Sequence, residues 1–420
     1  MSDFAALHRR TIRVLLLSQT LAGAGLAAGM TVGALLAEDM VGSTGSAGVP
    51  AALLTLGSAA AALGVGRLSQ RSGRRPGLVA GYAVGALGGA GIVLAAALDS
   101  VGLLFMGLLL YGSGTATNLQ ARYAGADLAS PDRRGRAVSA VLVATTLGAV
   151  VGPLLVEPTG HLAGALGVRE LAGPFILATA AYGLAAVAVL ALLRPDPLLT
   201  ARAAQPQSDA DVDDSGAVAA TGSIRLAAAA MILTGLVMVA VMTMTPIHMR
   251  DHGHSLSAAG LVISVHVAAM YLASPLTGML VDRVGRRPVL VAGAITLVVA
   301  GVLAATAPPD SMVLLMLALG LLGLGWNFGL VGGTALLTDA VPLSQRARTQ
   351  GTVDLAVALS GAAGGMTSGL VVATTSYAVL SFTGGLLALA LLPALLTERG
   401  ARRRVMTKRE PLRPEPSAIA

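Results

Sequence analysis

The side chains of this chain that could do chemistry are few, and nearly all of them are ionisable. With no cysteine among 420 residues, thiolate metal sites, thiol nucleophiles and disulfides are excluded. Two titratable groups, His266 and Asp354, stand inside long apolar runs. A charge at the centre of a lipid bilayer costs at least about 3 kcal/mol, so a titratable group in such a run is a functional candidate by default. Histidine titrates near neutral pH, and both residues are candidates for carrying a coupled proton. Other charges gather in two sets. Arg71, Arg74 and Arg75 are followed by Asp127, and Arg283, Arg286 and Arg287 by Asp339. The chemistry available is therefore proton carriage and reversible ion pairing. His248, Asp251, His252 and His254 hold ligand types at close spacing, but a short loop with no further ligand run is expected to be solvated rather than metal-bound. No phosphate-cradling glycine loop, zinc motif or nucleophile arrangement is present, so neither an enzyme nor a cofactor is expected.

The two arginine sets belong to a repeat. Gly66 to Pro76 returns as Gly278 to Pro288 at an offset of 212, and eleven of sixteen positions are identical across 66–81 and 278–293. The same offset carries Asp127 onto Asp339, Arg134 onto Arg346 and Arg136 onto Arg348. The chain is two copies of one module joined end to end. Gly73 and Gly285 suit a tight turn, Pro76 and Pro288 the first turn of the helix that follows, and Gly66 and Gly278 a close approach of helices.

The elements that position these groups are apolar helices. The composition is 55% hydrophobic and 12% charged, about half the charge of a soluble protein. About 20 apolar residues cross the hydrocarbon core. Twelve segments qualify, near 12–37, 47–67, 76–97, 101–122, 137–157, 171–193, 225–249, 257–280, 288–307, 311–338, 350–374 and 377–396. The fold class is all-α integral membrane, with twelve transmembrane helices in two pseudo-symmetric six-helix bundles. The divisions are 1–194 for the first bundle, 195–224 for a flexible cytoplasmic linker, 225–396 for the second bundle and 397–420 for a basic tail. With the N-terminus inside, all 28 Lys and Arg residues except Arg169 and Arg250 face the cytoplasm, as the positive-inside rule demands. Both termini are expected in the cytoplasm and the chain in the inner membrane. Arg9, Arg10 and Arg13 before an apolar run mimic a signal peptide, but that run completes the even set of twelve and is expected to be retained. The basic balance is thus topological, and with 3% aromatic residues nucleic acid is not an expected partner.

Two six-span halves, each with a Gly-x-x-x-Asp-Arg-x-Gly-Arg-Arg loop after its second span, resemble the major facilitator superfamily over nearly the whole chain. The resemblance implies a two-bundle transporter working by alternating access around a central site lined by spans 1, 4, 7 and 10. It implies that the loops latch one state. Arg71, Arg74 and Arg75 would then pair with Asp127, and Arg283, Arg286 and Arg287 with Asp339. The family's loop acid is present as Asp282 but is Gln70 in the first copy. In the family that acid faces the start of span 11, where the helix dipole is positive. Asp354, in the first turns of that span, is expected to supply the missing charge.

Span 5 carries Gly148, Gly152 and Pro153, which resembles the Gly-x-x-x-Gly-Pro motif of the family's proton-coupled exporters. Val156-Glu157 stands where that pattern continues into two glycines, and Leu108 where its span-4 arginine would align. Polar or aromatic residues on the cavity spans are Gln19, Thr31, Asn118, Thr243, Thr245, Trp326 and Asn327. The expected function is secondary active transport of a small organic solute across the cytoplasmic membrane. Proton-coupled efflux of an amphiphilic compound is favoured. Proton-coupled uptake of a metabolite and a non-transporting sensor are the alternatives. The expected partners are that solute, a proton and the lipid bilayer, with the protein a monomer.

Overall fold

The computed structural model describes residues 2–41, 48–204 and 214–391. The expected tail lies outside these residues, as do Asp209, Asp211 and Asp213 of the expected linker. Backbone amides have no partner in hydrocarbon except one another, so apolar runs of this length must coil. Fifteen α-helices result among the described residues. In the first half they are α1 (Ser2–Val41), α2 (Gly48–Ser72), α3 (Arg74–Leu98), α4 (Val101–Asp127), α5 (Arg134–Leu154), α6 (Val156–Ala165) and α7 (Gly173–Leu192). A short α8 (Pro197–Ala203) leads to α9 (Asp214–Asp251), α10 (Leu256–Leu272), α11 (Ser274–Arg283), α12 (Arg286–Thr306), α13 (Met312–Ala340), α14 (Arg346–Thr374) and α15 (Tyr377–Ala388). Over the described residues the twelve expected spans are largely helical; the fifth passes from α5 into α6 at Leu155, the eighth is broken into α10 and α11 next to Pro275, and 392–396 of the twelfth lie outside the described residues. Serines start several helices, with Ser100, Ser255 and Ser376 accepting bonds from the amides of Leu103, Ala258 and Val379.

Each half has its own apolar core. One gathers side chains from Val14 to Leu193. The other gathers those from Leu226 to Leu391, joined by Tyr123, Ala126, Val138 and Leu142 of the first half. Leu87, Leu147, Leu184, Leu276 and Leu370 are exposed on the outside, where lipid would cover them. α4 and α13 are buried around most of their circumference toward their C-terminal ends, as central helices must be.

The segment read as a linker is ordered at its start. Asp196 caps α8 by accepting from the amides of Leu198 and Leu199, and Pro197 occupies the first turn. Leu198 is buried against Leu343 and Ala347 of the other half. At its far end the seventh span's helix already begins at Asp214.

Candidate functional site

The halves meet on the face that carries the two repeated turns. Gly73 and Gly285 both have positive φ, 96° and 106°, a backbone region that side chains with a Cβ resist. Each turn delivers the next arginine to an acid. Arg74 Nε donates to Asp127 at 2.7 Å, and Arg286 Nε donates to Asp339 at 2.8 Å. Each arginine then reaches across to the other half, Arg74 to the Gln350 side chain and Arg286 to the Pro131 carbonyl. Arg134 of the first half also pairs with Asp339. Of the arginines expected at each acid, Arg74 makes the pair in the first block and Arg286 in the second. Arg75 instead bonds the Leu190 carbonyl through its side chain and Asp196 through its amide. Arg71 and Arg283 are exposed, and Arg287 is half-buried in the first turn of α12.

The loop acid and its glutamine replacement do the same work on opposite seams. Asp282 accepts from the amides of Gly135 and Arg136 at the start of α5, at 2.8 and 3.0 Å. Gln70 Oε1 accepts from Ala347 and Arg348, the residues 212 further on, at the start of α14, at 2.8 and 3.2 Å. Its amide nitrogen adds donations to the carbonyls of Leu343 and Ser344. Glycines let these seams close. A Cβ on Gly66 would lie 2.8 Å from the Gly351 Cα, and one on Gly278 would lie 2.6 Å from the Gly135 carbonyl oxygen.

Deeper in, an ion pair joins the halves. Arg122 of α4 is 0% exposed and Asp354 of α14 is 4% exposed. Arg122 Nη2 donates to Asp354 Oδ1 at 2.7 Å, and the Tyr123 hydroxyl donates to the same oxygen at 3.0 Å. Arg122 Nε donates to Thr334 Oγ1 at 3.0 Å, and Thr334 is the residue 212 further on in α13. Asp354 Oδ2 is buried without a partner among the described residues. The Tyr123 ring lies between the two arginines, 4.2 Å from the Arg122 guanidinium carbon and 5.8 Å from that of Arg74. The core pair and the buried Arg74–Asp127 latch therefore share the Tyr123 ring as a neighbour. Asp354 does not stand in for a charge missing at Gln70. It lies about 12 Å into α14 at 1.5 Å per residue, where its carboxylate is held by Arg122.

The family model described as Major Facilitator Superfamily matches residues 15–255 and 226–418. The chain belongs to the major facilitator superfamily. Among curated proteins of the superfamily it is similar to the uncharacterized MFS-type transporter YdeG of Bacillus subtilis (strain 168), 56% identical over 401 residues that cover 94% of this chain and 93% of that one. It is also similar to the riboflavin transporter RfnT of Brucella anthropi, 31% identical over 357 residues covering 84% of this chain and 86% of that one. Its fold resembles the human organic anion transporter MFSD10, with TM-score 0.74 at 16% identity over 92% of this chain and 99% of that one. As a superfamily member it is a multi-pass membrane transporter and not an enzyme.

The other expected site residues of this superfamily member are spread over several helices. Gln19 and Asn118 are buried in one network with Thr145 and Tyr82. Gln19 donates to the Asn118 carbonyl at 2.9 Å and to Thr145 at 3.1 Å, and Tyr82 donates to Gln19 at 2.6 Å. Asn327 donates to the Met270 carbonyl and the Ser274 hydroxyl, both at 2.7 Å, next to the break between α10 and α11. Trp326 is buried edge-on to Tyr271, with ring centroids 5.9 Å apart. Thr245 contacts the Tyr377 hydroxyl at 2.9 Å, whereas Thr243 is exposed on α9. The Thr31 and Pro153 side chains lie outside the described residues. Gly148 packs α5 onto α1, where an added Cβ would lie 2.0 Å from the Thr20 carbonyl oxygen, and Gly152 is buried near the end of α5. His266 is fully buried, its Nδ1 2.8 Å from the Leu319 carbonyl, and its Nε2 has no partner among the described residues. In the His248–His254 cluster the His248 ring stacks on Tyr377 and lies tilted against His252, with ring centroids 4.3 Å apart in both pairs, and no metal-holding group of ligands occurs among the described residues.

Proposed function

We propose that this protein moves a small organic solute across the cytoplasmic membrane by alternating access, coupled to a proton carried at Asp354. The supporting observation is the buried pair of Arg122 and Asp354 across the two halves, with Asp354 Oδ2 unpartnered among the described residues and so open to a proton. Protonation removes the charge that holds Arg122. The buried guanidinium then favours parting of the halves, since an unpaired buried charge costs several kcal/mol. The latches on the Gly73 and Gly285 face would be released in the same step through Tyr123. On the positive-inside rule that face is cytoplasmic, both termini lie inside, and the closed arrangement is the outward-facing state. Residues 1–194 and 225–396 are the moving bodies, joined by the segment 195–224, and a single copy is the working unit.

The solute we favour is a flat, largely uncharged aromatic amphiphile. Tyr271 is close enough to Arg122 to feel its charge, Trp326 packs against Tyr271, and the RfnT relative carries riboflavin in its name. Efflux is the favoured direction, on the Gly148, Gly152 and Pro153 resemblance. Uptake by the same machinery is the competing reading, which Leu108 in place of the exporter arginine favours. The test is a proteoliposome screen with an imposed pH gradient, starting with riboflavin and other planar heteroaromatics and reading both solute and proton. Coupled movement that disappears in Asp354→Asn is the expected result. Solute flux that persists with no proton movement sinks the coupling, and accumulation in right-side-out vesicles rather than inverted ones reverses the direction.

A further inference from the structure

A cavity of about 370 Å³ opens between α1 and the start of α5. Its polar wall is basic: His8, Arg9 and Arg13 from α1, Arg133 and Arg136 from the start of α5. All four arginines are exposed, and their charges are compensated only in part. Asp132 lies 3.6 Å from Arg133, with both side chains about 70% exposed, a geometry worth little in water. Arg136 Nε donates to Asp282 at 3.1 Å. His8 Nδ1 is buried without a partner among the described residues. Burial and the Arg133 charge hold the His8 imidazole below its ordinary range, so the positive charge of the wall comes from arginine.

The floor is apolar. Ile12 and Ala140 line the cavity, and the same helices continue into exposed leucines, Leu17 on α1 and Leu147 on α5. Guanidinium groups at one end and a strip of exposed hydrocarbon running away from them match a phosphate joined to acyl chains. A freely soluble anion would gain nothing from the second feature. Basic pockets at the membrane surface bind acidic headgroups by this combination.

We propose that this cavity binds the phosphate of an acidic phospholipid headgroup, and that its occupant shares Arg136 with the seam between α5 and α11. The lipid is then a partner of the latch, because the guanidinium it draws on is the one bonded to Asp282.

Native mass spectrometry of the full chain, released from vesicles of equal phosphatidylglycerol and phosphatidylcholine, tests this directly. The wild type should retain phosphatidylglycerol in preference. Arg13→Gln with Arg133→Gln should lower that retention roughly 30-fold. Arg71→Gln, an exposed arginine of the same face that does not line the cavity, should leave it unchanged. Asp282→Asn, which frees Arg136, should raise retention about fivefold. Equal retention by the wild type and the double variant overturns the site. Equal loss in Arg71→Gln assigns the effect to diffuse surface charge and overturns it too. Displacement of the bound lipid by excess inorganic phosphate, with no preference for phosphatidylglycerol, makes the ligand a soluble anion and overturns the lipid assignment. Unchanged retention in Asp282→Asn overturns the sharing of Arg136. An unchanged gel-filtration profile establishes that each variant is folded.

Discussion

Asp354 and Arg122 are each tolerable in the membrane only because of the other. Removing one leaves its partner charged and dry, so Asp354→Leu alone should destabilise the protein by about 3–5 kcal/mol, read by denaturant unfolding in detergent. The double variant Arg122→Leu/Asp354→Leu should recover most of that stability while remaining unable to couple proton to solute. A double variant as unstable as the single one would mean that the pair's surroundings, rather than the missing partner, set the cost. Asp354 was legible in the sequence because an acid inside an apolar run stands out. Arg122 was not. It sits five residues before Asp127, at the end of a run, where an arginine reads as one more positive-inside charge. The signal that was available is the repeat. Position 334 holds threonine within an apolar stretch that runs on to Thr338, so the repeat demands no charge at position 122. Gln70 shows the reverse case. Its departure from the family acid was visible, but the compensation lies in its own amide, whose oxygen caps α14 as Asp282 caps α5. Restoring the acid with Gln70→Asp should add about 0.3–1 kcal/mol to the closed seam through the helix dipole. Slower thiol labelling of a reporter at Ala347→Cys, in a chain with no other cysteine, would register it.

The helices were largely readable from the length and hydropathy of the runs, and the two turns from glycine and proline placed at the same offset. The short helix Pro197–Ala203 was hidden by the prolines and acids around it, which together read as linker composition. Its start signal was nonetheless present, aspartate at the cap followed by proline in the first turn. The break between α10 and α11 falls at Ala273, two residues before Pro275, inside a run that apolarity alone presents as continuous. Helix pairs at the seams are held by contact of backbone with backbone, which makes them sensitive to a single methyl group. Gly66→Val forces α2 and α14 apart, because its Cβ would lie 2.8 Å from the Gly351 Cα and 2.9 Å from the Ala347 carbonyl oxygen. If the halves move as rigid bodies, the strain should also open the opposite seam. Labelling of Ser139→Cys, buried against Gly278 on α5, should then rise several-fold over the same reporter in an otherwise unaltered chain. An unchanged rate there would show that α2 yields locally.

At the scale of the whole molecule, the repeated modules close one face of the protein with paired devices. Arg134 and Asp339 are in contact across the halves on that face through the full length of the arginine side chain, so cysteines at both positions should be bridged by a bifunctional methanethiosulfonate reagent whose spacer replaces that length. Solute flux should stop on cross-linking and return on reduction. Full flux with the cross-link verified in place would rule out separation of the halves on this face. The two seams are built alike but are not electrically alike. One is fastened by the carboxylate of Asp282 with Arg136 beside it, the other by a neutral amide. Dissolved ions weaken the first at its exposed rim and leave the second almost untouched. Ionic strength at that face is therefore expected to set which side of the molecule yields earlier, so that it unzips from the α5 edge toward the α14 edge instead of splitting evenly down the middle.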